Sequence, residues 1–182
     1  MSSIRSARFL AASTSVRILL TPVIMAMLFA GVEPALTAAL FAFAAATDWI
    51  DGYLARRWEV TTKLGSFLDT TADKLLVTGV LIGLVAVERA SPWVSLIIIG
   101  RELMVLGLRG VIAAEGTVMK PSMWGRWKTA IQFLAILLAI LRPGDEIGGA
   151  YLDEWVMLIA AAITVASAVD YFRSFSSALS ER

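Results

Sequence analysis

Four aspartates form two close pairs in an apolar part of a 182-residue chain: Asp48-Trp-Ile-Asp51-Gly52-Tyr-Leu-Ala55-Arg56, eight residues, then Gly65-Ser-Phe-Leu-Asp69-Thr-Thr-Ala-Asp73. An ionised carboxylate inside a membrane-like segment costs on the order of 3 kcal/mol unless it is paired or metal-bound, so four of them argue for a task. Brought together they repel one another, and either protons or cations must sit between them. Two divalent ions about 4 Å apart are one solution, and such pairs suit phosphoryl chemistry. The chain has no cysteine and no histidine. That removes disulfides, thiol nucleophiles, soft-ligand zinc sites and imidazole bases, and leaves carboxylates, hydroxyls, Lys and Arg for any reaction. A carboxylate ligand set favours hard cations such as Mg²⁺, Mn²⁺ or Ca²⁺.

The elements that must hold these aspartates are apolar segments. Hydrophobic residues make up 58% of the chain and the mean hydropathy is +0.77, which reads as an integral membrane protein. Six stretches, 13–32, 34–57, 62–87, 90–114, 123–142 and 152–173, each approach the ~20 residues that span a bilayer as helix. The expected fold is therefore all-α, with six transmembrane helices in one domain spanning 1–182. Within 34–47, 75–87 and 129–141 there is no charge at all, so the helices are lipid-like in one half and polar in the other.

Basic residues set the orientation. Arg5, Arg8, Arg56, Arg57, Lys63, Lys120, Arg126, Lys128, Arg173 and Arg182 fall on one face, and only Arg89 and Arg142 on the other. Both termini are thus expected on the cytoplasmic side, with Glu33, Glu88, Asp145, Glu146, Asp153 and Glu154 in outer loops. A basic start before an apolar run also fits a secretory signal, but the run begins late, after Arg17, so an uncleaved first helix is expected. The net charge of +1 gives no reason to expect a nucleic-acid partner.

At about 100° per residue, Asp48, Asp51, Gly52 and Ala55 share one helical arc with Arg56 at its edge, and Gly65, Asp69 and Asp73 form a stripe at i, i+4 spacing. A turn near 58–62 makes the two segments antiparallel neighbours, so both stripes end at one depth. Gly52 and Gly65 leave room for a ligand to approach the backbone, and Arg56 offers a planar fork to phosphate. The blander account, helix capping and pairing with Arg56, Arg57 and Lys74, serves for any one aspartate but poorly for all four. Glycines alone would also fit close helix packing.

This pattern, Asp48-x-x-Asp51-Gly52-x-x-Ala55-Arg56, eight residues, Gly65-x-x-x-Asp69-x-x-x-Asp73, resembles the complete signature of the CDP-alcohol phosphotransferases. The resemblance implies six transmembrane helices, a homodimer, and a cytoplasm-facing site where an alcohol displaces CMP from a CDP-linked donor with Mg²⁺ or Mn²⁺. It makes Asp48, Asp51 and Asp69 metal ligands, with Asp73 near the metals and acting as the base for the acceptor hydroxyl. Gly52, Ala55, Arg56 and Thr62 would contact the donor.

Flanking residues point to a branch. Thr47-Asp48-Trp49, Leu54-Ala55-Arg56-Arg57-Trp58, Arg101-Glu102, Leu108-Arg109 and Gly125-Arg126-Trp127-Lys128-Thr129 are similar to bacterial phosphatidylglycerophosphate synthases, over most of 14–130. That implies CDP-diacylglycerol as donor and glycerol 3-phosphate as acceptor, in the bacterial cytoplasmic membrane. Such an acceptor carries nearly two negative charges, and Arg109, Arg126, Lys128, Arg173 and Arg101 are the candidates to meet its phosphate. Positive-inside anchoring is the blander role for the first four, and a structural pair with Glu102 for Arg101. One departure is Phe9-Leu10-Ala11-Ala12-Ser13-Thr14, where the branch carries an Asn-containing segment; a nucleotide contact there falls to Ser13 or Ser15 or is absent. The same donor with another acceptor, as in phosphatidylinositol phosphate or cardiolipin synthases, remains open on sequence alone. A small ion or proton transporter using Asp73, Lys74, Arg101 and Glu102 would need polar groups through the full thickness, whereas the outer halves are apolar. The tryptophans, near segment ends, read as interface anchors.

Overall fold

The computed structural model describes residues 2–58, 63–114, 123–144 and 146–180, with side-chain surroundings for 13–47, 68, 70–112, 127–144 and 146–173. The described residues form six helices: α1 Ser2–Phe29, α2 Pro34–Trp58, α3 Lys63–Ala86, α4 Pro92–Ala114, α5 Met123–Leu141 and α6 Leu152–Ser180. Strand pairing among them is limited to an isolated bridge between Ile147 and Ala150. The middle helices end within a few residues of the expected bounds. The outer two are longer: α1 starts at Ser2 rather than near 13, and α6 runs on to Ser180. Apolarity marks only the part of a helix suited to lipid, while the backbone bonds continue into the polar flanks. Among the described residues only Leu152–Arg173 is long and apolar enough to cross a membrane, with shorter apolar stretches at Ser13–Phe29, Pro34–Thr47 and Trp127–Leu141.

Local chemistry fixes most helix ends. Beyond α1, Gly31 takes φ +63° while Val32 N–H donates to Met27 O at 3.0 Å. This is the six-to-one closure that a left-handed glycine permits. Pro34 and Pro92 open α2 and α4, where a missing N–H costs nothing. At the start of α6, the Tyr151 N–H donates to Glu154 Oε2 at 3.1 Å, and acidic Asp153 and Glu154 occupy the positive end of the helix dipole.

The chain divides into two compact units, Met1–Val87 and Glu88–Arg182. In the first, α1 packs along both α3 and α2. Ile24, Leu76, Val80, Leu81 and Leu84 are fully buried there, and so is Arg17. Two glycines of α3 let α1 come close. A Cβ on Gly79 would overlap Thr21 Cγ2, and one on Gly83 would lie 3.0 Å from Leu28 Cδ1. The Thr21 hydroxyl donates to Arg17 O at 3.0 Å, which holds its methyl against Gly79.

In the second unit α6 packs on both α4 and α5, around buried Ile98, Ile136, Ala139, Ile140 and Ala160. One end is tied by arginines. Arg89 Nη1 donates to Ile140 O at 2.5 Å, and Arg142 Nη2 donates to Glu154 Oε1 at 3.0 Å. Arg142 Nε also lies 3.6 Å from Oδ2 of fully buried Asp153, and its guanidinium sits 4.3 Å from the Tyr151 ring centre. Trp155 Nε1 donates to Ile147 O at 3.0 Å.

Two outcomes are expected from thermal denaturation in detergent. Gly79→Ala should cost about 1–3 kcal/mol through overpacking, whereas Gly107→Ala, with nothing within 4 Å of the added carbon, should be neutral or stabilising by up to about 1 kcal/mol. Arg142→Ala leaves the Asp153 carboxylate buried without its cation and should cost about 3 kcal/mol, part of which Asp153→Asn returns.

Candidate active site

The backbone puts the signature on two helices. Asp48, Asp51, Gly52, Ala55 and Arg56 belong to the last turns of α2, and Gly65, Asp69 and Asp73 to the first half of α3. The helical period that aligns each set on one face is therefore real. The side chains of Asp48, Asp51, Ala55, Arg56 and Asp69, the surroundings of Gly52, and the whole of Thr62 lie outside the described residues. So does the expected facing of the two stripes. α2 and α3 touch only sparsely among the described residues, and α1 is the helix that packs on both.

Asp73 is in view. Its Oδ2 accepts from Lys74 Nζ at 2.6 Å, with 14% of the aspartate side chain exposed. Its Oδ1 is buried and has no hydrogen-bond partner. A buried carboxylate oxygen without a donor is a poor arrangement by itself and a good one for a cation or a proton in transit. Asp73 thus keeps one buried carboxylate oxygen of the kind a hard divalent ion takes.

The second unit gathers basic residues of the acceptor set. Lys128 of α5 bonds Glu102 Oε1 of α4 through its Nζ, with 3% and 4% of the two side chains exposed. Arg101 Nη1 reaches the same oxygen at 3.4 Å. Its Nη2 donates to Ser167 Oγ of α6 at 2.6 Å, and its Nε–H is buried without a hydrogen-bond partner. One carboxylate oxygen therefore carries two cations from two helices. Two turns along α4, Arg109 lies 5.7 Å from the ring centre of Tyr171, one turn beyond Ser167 on α6. Arg173 is exposed on α6, and the Arg126 side chain is outside the described residues.

The structure thus brings together Arg101 and Lys128, with Arg109 on the same α4–α6 seam. The pairing of Glu102 is only partly the expected one: the neighbour Arg101 is the longer contact, and Lys128 the closer. Sequence reasoning did not find Ser167, Tyr171, or the Gln132 Nε2 donation to Thr164 Oγ1 at 3.2 Å. The signal was available, since Glu102, Lys128, Gln132, Thr164 and Ser167 are buried polar residues in apolar helices, and such residues seek one another.

The cluster's energetics are testable by thermal unfolding. Glu102→Gln leaves two buried cations beside each other and should cost about 3 kcal/mol or more. The double variant with Lys128→Met should be more stable than Glu102→Gln alone, because one of the two adjacent cations is gone.

Comparison with known proteins places the chain in a family. The family model "CDP-alcohol phosphatidyltransferase" matches residues 11–166. A Pseudomonas fluorescens protein named CDP-diacylglycerol--glycerol-3-phosphate 3-phosphatidyltransferase is 39% identical over 169 residues, covering 88% of this chain and 86% of its own. Proteins of the same name from Bacillus subtilis, 41% identical over 74% of this chain and 70% of theirs, and from Haemophilus influenzae, 36% identical over 88% and 89%, are similar in the same way. With its aspartate signature on two helices and a match running through most of its length, this chain belongs to the CDP-alcohol phosphatidyltransferase family.

Proposed function

We propose that this protein is a phosphatidylglycerophosphate synthase: it transfers the phosphatidyl group of CDP-diacylglycerol to glycerol 3-phosphate and releases CMP. The observation that carries the reading is the shared name of relatives 36–41% identical across most of both lengths. The complete aspartate signature supports the donor class, and the buried basic cluster supports a phosphorylated acceptor.

Asp48, Asp51, Asp69 and Asp73 would hold Mg²⁺ or Mn²⁺, two ions by the family pattern, which when bound would offset the charge of the donor's pyrophosphate. Gly52, Ala55, Arg56 and Thr62 bind the cytidine and diphosphate. Asp73 takes the proton of the acceptor hydroxyl, whose oxygen bonds the phosphatidyl phosphorus as the bond to CMP breaks. Lys74, hydrogen-bonded to Asp73 Oδ2, keeps the carboxylate oriented. Arg101 and Lys128 meet the acceptor phosphate, assisted by Arg109, Arg126 and Arg173.

The protein works in the bacterial cytoplasmic membrane as one six-span domain, with its site and termini on the cytoplasmic face, and as a homodimer. Support for the membrane comes from the apolar span in α6. It also comes from the outward display of large apolar side chains: Leu19, Leu36, Phe43, Leu96, Leu103 and Val111 are each more than half exposed. Trp93, Trp127 and Trp155 are exposed as interface anchors would be.

Purified enzyme given CDP-diacylglycerol, Mn²⁺ and glycerol 3-phosphate should release CMP. Asp73→Asn should lower the rate by about a thousandfold or more while donor binding persists. Consumption of inositol phosphate in place of glycerol 3-phosphate would refute the acceptor assignment, and full turnover by Asp73→Asn would remove that residue as base.

A further inference from the structure

We infer that Glu102 is a positioning residue of acceptor recognition, a shared anion that aims Arg101 and Lys128 at the incoming phosphate; the inference rests on the proposed role of those two cations. Its warrant is the geometry of one atom. Glu102 Oε1 takes Lys128 Nζ from α5 and Arg101 Nη1 from its own helix, and Arg101 Nη2 is fixed in turn by Ser167 of α6. All three helices of the unit meet at that junction. Three of these side chains are almost fully buried, Lys128 at 3%, Glu102 at 4% and residue Ser167 at 5%.

Lysine and arginine are the most rotamer-rich side chains, and a phosphate that had to order both would bind weakly. Glu102 and Ser167 order them before the substrate arrives. Arg101 shows the result: both terminal nitrogens are committed, while the Nε–H stays buried without a partner. A guanidinium held by its fork tips presents its remaining edge in a fixed orientation. Ser167 belongs to the same device, because it holds Arg101 from the side opposite in sequence, 66 residues away.

Electrostatics and positioning predict opposite signs, which makes the idea decidable. Glu102 repels an anionic substrate, so if it were only a counter-ion its removal would tighten acceptor binding. If it positions the cations, its removal loosens acceptor binding and leaves the donor untouched. Purified variants are assayed for KM toward glycerol 3-phosphate and toward CDP-diacylglycerol separately. Glu102→Gln is expected to raise the acceptor KM about tenfold or more, with the donor KM within about twofold. Glu102→Asp keeps the charge but withdraws it by one methylene. It is expected to raise the acceptor KM about threefold, and it carries the test if Glu102→Gln does not fold. An acceptor KM that is unchanged or lower in a folded variant, or equal rises for both substrates, overturns the inference. The underlying reading fails separately: if Arg101→Gln and Lys128→Met leave the acceptor KM unaltered, those cations do not meet the phosphate at all.

Discussion

A buried charge cannot stand alone in so oily a chain, and much of the described structure is arranged around that constraint. The interior holds Arg17, Glu102, Lys128 and Asp153 among its apolar side chains, while other large apolar residues, Leu19, Leu36 and Phe43 among them, are turned outward. Against lipid tails this is a cheap arrangement, because the outside accepts apolar surface and only the inside can answer a charge. Glu102, Lys128 and Asp153 each meet an opposite charge from elsewhere in the chain. Glu102 joins α4 to α5, Arg101 joins α4 to α6, and Arg142 reaches Asp153 and Glu154 at the head of α6. Electrostatic pairing does here part of what a hydrophobic core does in a soluble fold.

Close packing supplies the rest. α1 lies against α3 because Gly79 and Gly83 present no side chain, and the Thr21 hydroxyl bonds back to the Arg17 carbonyl so that its methyl fills the gap. Lipid offers no hydrophobic drive between helices, so such backbone approach, with its many weak contacts, has to hold them together.

The sequence was informative where a rule has a short range. Six helices could be marked from runs of apolar residues close to twenty long, although among the described residues only that of α6 is long and apolar enough to cross a membrane. The aspartate pattern was legible because its spacing is the helix's own. The far ends of α1 and α6 were not legible, since helical backbone bonding continues after lipid contact ceases. Nor was the partner of Glu102: Arg101 stands beside it in the chain, but Lys128 arrives from 26 positions away, and such pairings depend on tertiary placement. Ser167 and Gln132 were overlooked for a related reason. Small polar residues are common in membrane helices, and only a neighbour shows which of them are used. The fit between two arginines on α4 and two α6 side chains one turn apart, Ser167 and Tyr171, is a property of the packed seam and of neither segment alone.

The contrast between α6 and the other helices bears on how the protein is made. Only α6 reads as a self-sufficient span among the described residues, and it follows the other five described helices in the chain. α1 carries Arg17 and α4 carries Arg101 with Glu102, each charge costing about 3 kcal/mol to a lone helix at the bilayer centre. The charges of α4 are answered from outside their own helix only once α5 brings Lys128 and α6 brings Ser167 to them, so that helix completes its polar contacts late, after the rest of its unit is made.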